Sequence, residues 1–482
     1  MTRTTRIQLL AATAMSAAVF YAVPASADPT PPCNDGAGSL TTECGTNSTT
    51  GASDFSTAVG QLATATGEES VAVGTDSLAS GDRTVAVGVV STALGDDSTA
   101  LGNRSSAADV NATAVGAGSE ATGRSSTAIG SGGVASRPVI AAAGFSTAIG
   151  TGTQIAAGAT GATAVGDFNT IGTTGSFSVA MGAFNTVNAT SGIAIGNSAT
   201  VTLGSTDGLA IGTAALASNE AAVAVGRLAE ATQDFNVALG SLSSSTGVES
   251  VAVGGDTEAS GAQSTAVGTV ATASGALSSA FGNRSSASGA ASTAIGALSR
   301  GLGAEAVAVG ADSLAQGDNS TAVGTVATAL LGGSTALGNR SSAAAANSTA
   351  VGYLSEATGA ESVAVGADSE ASGAQTTAVG VIATASGALS SAFGNRSSAS
   401  GAASTALGTI SRALGAEAVA VGADSLAQDD NATAVGTVAT ALGAGSTAVG
   451  NRSSAAAVNS TALGYLSEAT GVSSLAAGRG AI

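Results

Sequence analysis

Few side chains in this 482-residue protein are equipped for chemistry. It has no His, and all 14 basic residues are Arg. Without His it lacks the usual general base, the acyl-transfer triads and His-built zinc sites. Without Lys it lacks the phosphate-binding lysine of a P-loop, so glycine-rich stretches such as Gly150-Thr151-Gly152 carry no nucleotide reading. Carboxylates remain, paired at Glu68-Glu69, Asp96-Asp97 and Asp429-Asp430. Such pairs cleave glycosidic bonds in some right-handed β-helix enzymes. The coils there are longer, however, and sugar clefts are lined with aromatics, which make up only 2% of this chain. The pairs fall where the chain turns and read as solvated charges. The G-G-x-G-x-D repeats of a calcium-binding β-roll are absent. The expectation is a protein that is not an enzyme and uses no metal and no cofactor.

Elements that would position side chains must be built from small residues. The chain has 69 Gly and is 44% hydrophobic, the latter carried by Ala, Val, Leu and Ile, which argues against disorder. Residues 1–27 carry Arg3 and Arg6, an apolar run from Ile7 to Val23, and Ala25-Ser26-Ala27, the order of a cleavable secretory signal. A mature chain starting at Asp28 is expected. It would lose two of the 14 basic residues and none of the 32 acidic ones, leaving a charge of −20. Like charge then disfavours nucleic acid and anionic membrane surfaces as partners. Beyond the signal no apolar run reaches the roughly 18 residues of a membrane-spanning helix. The only two cysteines, Cys33 and Cys44, sit in an exported context and predict a disulfide worth about 3 kcal/mol. The Pro-, Gly-, Ser- and Thr-rich segment around them, residues 28–55, reads as a flexible leader or cap.

From Ser56 onward the chain repeats. The tetrapeptide [TV]-A-[VILMF]-G ends at Gly60, Gly74, Gly88, Gly102, Gly116 and Gly130, a step of 14 residues. Steps are irregular through Gly150, Gly166, Gly182, Gly196 and Gly212, and the 14-residue register returns at Gly226 and holds to Gly478. This predicts about 30 turns of a β-solenoid, divided into regular repeats at 56–130, irregular repeats with insertions at 131–212 and regular repeats at 213–482. A second glycine seven residues on, as at Gly67, Gly81 and Gly373, predicts a second corner needing positive φ or close approach. Two short strands per turn alternate their side chains between faces. Ser313, Ala315, Ser320 and Ala322 exemplify the small columns expected inside. Facing out are mixed polar residues on one strand and, on the other, a continuous apolar stripe. The stripe includes Val309, Val323, Leu337, Val351, Val365, Val379, Phe393, Leu407, Val421 and Val435. Exposed apolar surface of that extent marks an interface, here self-association with cyclic symmetry, although the residues alone do not set the number of chains.

The recurring S-[TV]-A-[VIL]-G with its S-x-A-x-G half-turn, as in AVAVGADSLAQGDNSTAVG from Ala306 to Gly324, resembles the head repeats of YadA-like trimeric autotransporter adhesins. The resemblance runs from about Ser56 to Gly478. It implies a left-handed parallel β-roll and a homotrimer displayed on the cell surface. It also implies attachment to extracellular matrix proteins, cell-surface receptors or sister cells. Members of that family continue into a neck, a heptad-patterned stalk and a membrane anchor; the closing LSEATGVSSLAAGRGAI resembles none of these. A head released or held by another route, a truncated product and a head-like rod in a different surface system are the alternatives this raises. A structural surface fibre without a specific ligand shares the fold, and an ice-binding solenoid is the third reading, since Thr alternates with Val in the stripe.

Two features stand out from the repeat. Phe145, Phe168, Phe177 and Phe184 cluster among the long turns, four of only nine Phe. They are read either as a binding patch or as filler of a wider interior. The hexapeptide GNRSSA recurs at Gly102, Gly282, Gly338, Gly394 and Gly450, every 56 residues from Gly282, within a 112-residue duplication. Coil geometry puts its Ser285 and Ala287 inside and leaves Asn283, Arg284 and Ser286 outside. Down the Arg column run Asp312, Val326, Arg340, Leu354, Asp368, Ile382, Arg396 and Ile410. Arg284, Arg340 and Arg396 therefore serve either as electrostatic register marks or as ligand contacts. The N-x-[ST] sequons, Asn47 and Asn103 among them, are read as corner asparagines.

Overall fold

The computed structural model describes residues 33, 35–132 and 137–482. The signal segment 1–27 and the expected start at Asp28 lie outside the described residues. Two compact units divide the chain, one ending at Asn111 and one running from Ala112 to Ile482. The fold is all-β, a parallel β-solenoid, and the described residues of each unit coil in the same way.

The turn from Gly310 to Gly324 shows why these residues make this coil. Gly310 has φ 130° and Gly324 φ 138°, a conformation that excludes a side chain. A Cβ on Gly310 would also strike the carbonyl of Gly324 in the next turn. After each such glycine comes a corner, then the strand Leu314–Ala315, a second corner, and the strand Thr321–Val323. Each strand pairs in parallel with its equivalent one turn on, Leu314 opposite Thr328 and Val323 opposite Leu337. The ladder bonds are regular: Leu314 N donates to Ala327 O and Val307 N to Ser320 O, both at 2.8 Å.

Side-chain alternation sets the core. Ser313, Ala315, Ser320 and Ala322 are fully buried, and the Ser313 hydroxyl donates to Gly310 O at 2.9 Å. A coil this narrow has room only for such residues. Ala columns run through unit 2 in this way to Ala476.

The two corner glycines divide the expected roles of positive φ and close approach, and positive φ also falls on residues other than glycine. At the second corner Gly317 supplies close approach alone, because a Cβ there would strike the Leu331 carbonyl. Positive φ falls on the residue two further on, Asn319 at 56°. Asp312, two residues after Gly310, likewise has φ 54°. Both are tied down by bonds across turns, from Asp312 N to Ala297 O and from Asn319 N to Ala304 O, each 2.8 Å. Asn47, at φ 58°, occupies such a corner in unit 1.

Two further features lie outside the regular repeats. In unit 1 the coil begins inside the segment expected to be a flexible leader, with the strand Thr42–Cys44 paired to Thr57–Val59. The Glu43 carboxylate accepts from Thr50 N at 2.6 Å and Thr50 Oγ1 at 2.8 Å. Cys33 and Cys44 are disulfide-bonded with their Cα atoms 4.4 Å apart. In unit 2 the long turns keep the ladder in register, Thr147 with Thr163, Thr163 with Val179 and Ile193 with Leu209. Their added residues therefore bulge at corners.

Candidate functional site

The stripe is set by the two outer residues of each three-residue strand, whose middle Ala points inward. Val309, Val323, Leu337, Val351 and Val365 lie in one in-register row, which continues through Val379, Phe393, Leu407, Val421 and Val435. Their neighbours above and below shield them partly, so Val323 and Leu337 keep 36% of their surface, Phe393 38% and Leu407 48%. A row of aliphatic and aromatic groups, four of them more than one-third exposed and the others partly exposed, is a surface that association would dry.

The four Phe of the irregular turns do not fill the interior. Ile155, Ile171, Val187 and Val201 do, all fully buried. Their added bulk is offset across the coil by glycine: a Cβ on Gly192 would lie 2.8 Å from Val187 Cγ1, and one on Gly208 3.0 Å from Val201 Cγ1. The interior-filler reading of the Phe is therefore corrected. Asn169 and Asn185 add a buried polar ladder that the spacing did not reveal. Asn169 donates to Val165 O and Gly182 O, and its Oδ1 accepts from Asn185 N at 3.0 Å. Asn185 repeats the arrangement one turn on, donating to Met181 O and Gly196 O.

The Phe stand outside, on both corners of neighbouring turns. Phe145, Phe177 and Phe184 are 64%, 69% and 57% exposed, while Phe168 is half-buried. All four have φ between 54° and 57°. Phe168 and Phe184, one turn apart, stack with ring centroids 5.3 Å apart and nearly parallel planes. Glycines below them let the rings lie down: a Cβ on Gly152 would meet the Phe168 ring at 2.8 Å, and one on Gly161 the Phe177 ring at 3.0 Å. Each Phe takes the left-handed corner conformation that the repeat imposes at its turns, here on an aromatic residue. Phe55 and Phe235 occupy the same corner type, 52% and 54% exposed. Counting five residues back from Gly60 and Gly240 would have found them.

Among the described residues, charge pairing is sparse. Arg83 meets Asp97, one turn away, in a bidentate pair at 2.6 and 2.8 Å. The hydrogen bond and charge of Asp97 raise the Arg83 pKa, and the bond from Arg83 holds the Asp97 carboxyl below its ordinary value. The other ion pair is Arg300 with Asp312 at 3.8 Å. Arg284, Arg340 and Arg396 belong to neither; they are exposed corners at φ 55° to 57°. Ser285 and Ala287 beside Arg284 are buried. Among the described residues no His, Cys, Asp and Glu side chains form a group of three or more suited to a metal ion.

A solenoid with this repeat, these inner columns and this stripe matches the YadA head domain repeat in successive segments. They cover residues 53–77, 79–105, 110–132, 174–199 and 205–229, and then most of 245–481. The chain belongs to the YadA head family. No curated protein matches it over its sequence. A YadA head is an adhesive and structural element of a trimeric autotransporter rather than a catalyst.

Proposed function

We propose that this YadA head is an exported, surface-displayed adhesin that assembles as a homotrimer. The stripe from Val309 to Val435 is the shared interface, and the corner aromatics, Phe168 and Phe184 on one corner and Phe145 and Phe177 on the other, are the attachment surfaces. The observation that carries this reading is the in-register apolar row, partly exposed in one chain, in a member of a family whose heads are trimeric. Burying such groups completely is worth about 1.5–3 kcal/mol each. The aromatic patch fits attachment to matrix proteins or cell-surface receptors because aromatics dominate the contacts that carry binding energy. No helix among the described residues is long and apolar enough to cross a membrane.

The test pairs a mass measurement with an attachment assay. The purified chain is expected to sediment as a trimer. Replacing Phe168→Ala and Phe184→Ala together should leave that mass unchanged and lower attachment to immobilised matrix protein at least about tenfold. A monomer would overturn the assembly claim. A trimer whose attachment is saturable and unaffected by the double replacement would overturn the patch, and one with no saturable attachment would leave a structural fibre as the function.

A further inference from the structure

Within unit 2, the residue two places after each turn glycine forms a corner column of fixed order. From Leu242 it reads aliphatic, Asp, aliphatic, Arg, and repeats four times to Arg452, closing with Leu466. The Asp are Asp256, Asp312, Asp368 and Asp424; the Arg are Arg284, Arg340, Arg396 and Arg452. All eight are exposed, and so are the aliphatics between them apart from Leu354, with Leu242 at 44%, Leu298 at 47% and Ile382 at 44%. Val270, Val326, Ile382, Ile410 and Val438 hold φ of 57° to 59°, where β-branched residues are rare outliers. Each column residue donates its N–H to the preceding turn, as Arg284 N does to Thr269 O at 2.9 Å and Leu298 N to Asn283 O at 2.9 Å. The column is therefore an aligned edge of the coil, separate from the stripe.

Its order discriminates between modes of self-pairing. Two copies aligned parallel and in register would set Arg against Arg and Asp against Asp. Two copies aligned antiparallel about a two-fold axis at Leu354 match throughout. Asp256 then faces Arg452, Arg284 faces Asp424, Asp312 faces Arg396 and Arg340 faces Asp368, while aliphatic faces aliphatic in every remaining turn. By symmetry each pair occurs twice, as an isologous interface requires. The first Asp also lies in a depression of about 310 Å³ bounded by Leu242, Asp256, Glu258, Val270 and Thr272. That is a socket with acidic lining and apolar walls, suited to an arginine whose stem packs while its guanidinium pairs.

We propose that this corner edge docks antiparallel onto the same edge of a second copy of this chain, with Arg side chains of each copy entering the acidic positions of the other. Exposed ion pairs are individually weak, so the strength lies in repetition along the edge. The inference rests on the adhesive reading only in assigning the partner as another head, and the edge it uses is not the stripe.

The test uses the full chain. One variant carries Arg284→Glu, Arg340→Glu and Arg452→Glu; the other carries Asp256→Arg, Asp368→Arg and Asp424→Arg, the three positions that face them. Asp312 is left because Arg300 already pairs with it. Sedimentation should show each variant alone keeping the wild-type base oligomer but losing association beyond it by about tenfold or more, with the 1:1 mixture regaining it. Loss of the base oligomer would instead place these charges in the primary assembly and overturn the proposal, as would variants that associate like wild type or a mixture that fails to recover. Orientation is read separately. Val326→Cys in one population and Ile382→Cys in another should form a mixed disulfide on oxidation, and neither population should crosslink to itself. Self-crosslinking within each population would establish in-register pairing and refute the antiparallel edge.

Discussion

Replacing Val323, Leu337, Phe393 and Leu407 together by Thr tests the stripe without disturbing the coil. These side chains point outward and retain 36%, 36%, 38% and 48% of their surface in the single chain. Thr already occupies the neighbouring outward position of the same strands, as at Thr321, Thr335 and Thr405. Strand propensity is thus preserved. If association buries the remaining surface, full-burial values of about 1.5–3 kcal/mol scale to roughly 0.6–1.3 kcal/mol per residue. Since the Thr methyl retains part of this, the four replacements should cost about 2–4 kcal/mol per chain. That raises the dissociation constant about thirty-fold to several hundred-fold per chain. Sedimentation equilibrium across a dilution series measures it directly, and far-ultraviolet circular dichroism checks that the coil persists. The reasoning is refuted if the variant keeps its coil and dissociates at the wild-type concentration, because the stripe would then be solvent-facing in the assembly as well.

Three further outcomes follow from the geometry. Ile171→Ala should destabilise by about 2–5 kcal/mol because it empties a buried site, whereas Phe177→Ala, on an exposed corner, should change thermal stability by about 0.5 kcal/mol or less. Ser313→Ala should cost about 0.5–1.5 kcal/mol by losing its bond to Gly310 O. Ser320→Ala should be neutral or stabilising in the same melt, because the Ser320 hydroxyl has no hydrogen-bond partner and Ala stands at the equivalent place in Ala306 and Ala418. The Asp97 carboxyl, held low by Arg83, contributes its pairing above the ordinary carboxylate pKa of about 3.9 and loses it as pH falls through the lower folded value. Carboxyl NMR titration should show Asp97 below that range, and Arg83→Gln should return it there.

Much of the fold was legible because a parallel coil converts a 14-residue period directly into columns. Ser313, Ala315, Ser320 and Ala322 could be placed inside, and Val309 and Val323 outside, from alternation alone. The same counting placed Arg284 at a corner and Ser285 within. It left Phe145 and Phe177 open between a binding patch and interior filler, although each stands five residues before a turn glycine, Gly150 and Gly182, as Phe55 and Phe235 do before theirs. The volume was in fact supplied by Ile155, Ile171, Val187 and Val201, made possible by glycines packed against three of them. The paired ladder of Asn169 and Asn185 was likewise invisible, since a buried amide is recognised by the carbonyls it reaches and not by its spacing.

The amino-acid order by itself determined the period, the small inner columns, the apolar outer row and the alternating Asp and Arg, because each depends only on position within a repeated turn. Tertiary structure decided which residues take the left-handed corner conformation, which aromatics lie exposed over glycine, and which Arg finds an Asp. Those depend on what the next turn places a few ångströms away, a distance that periodicity fixes along the coil and not around it.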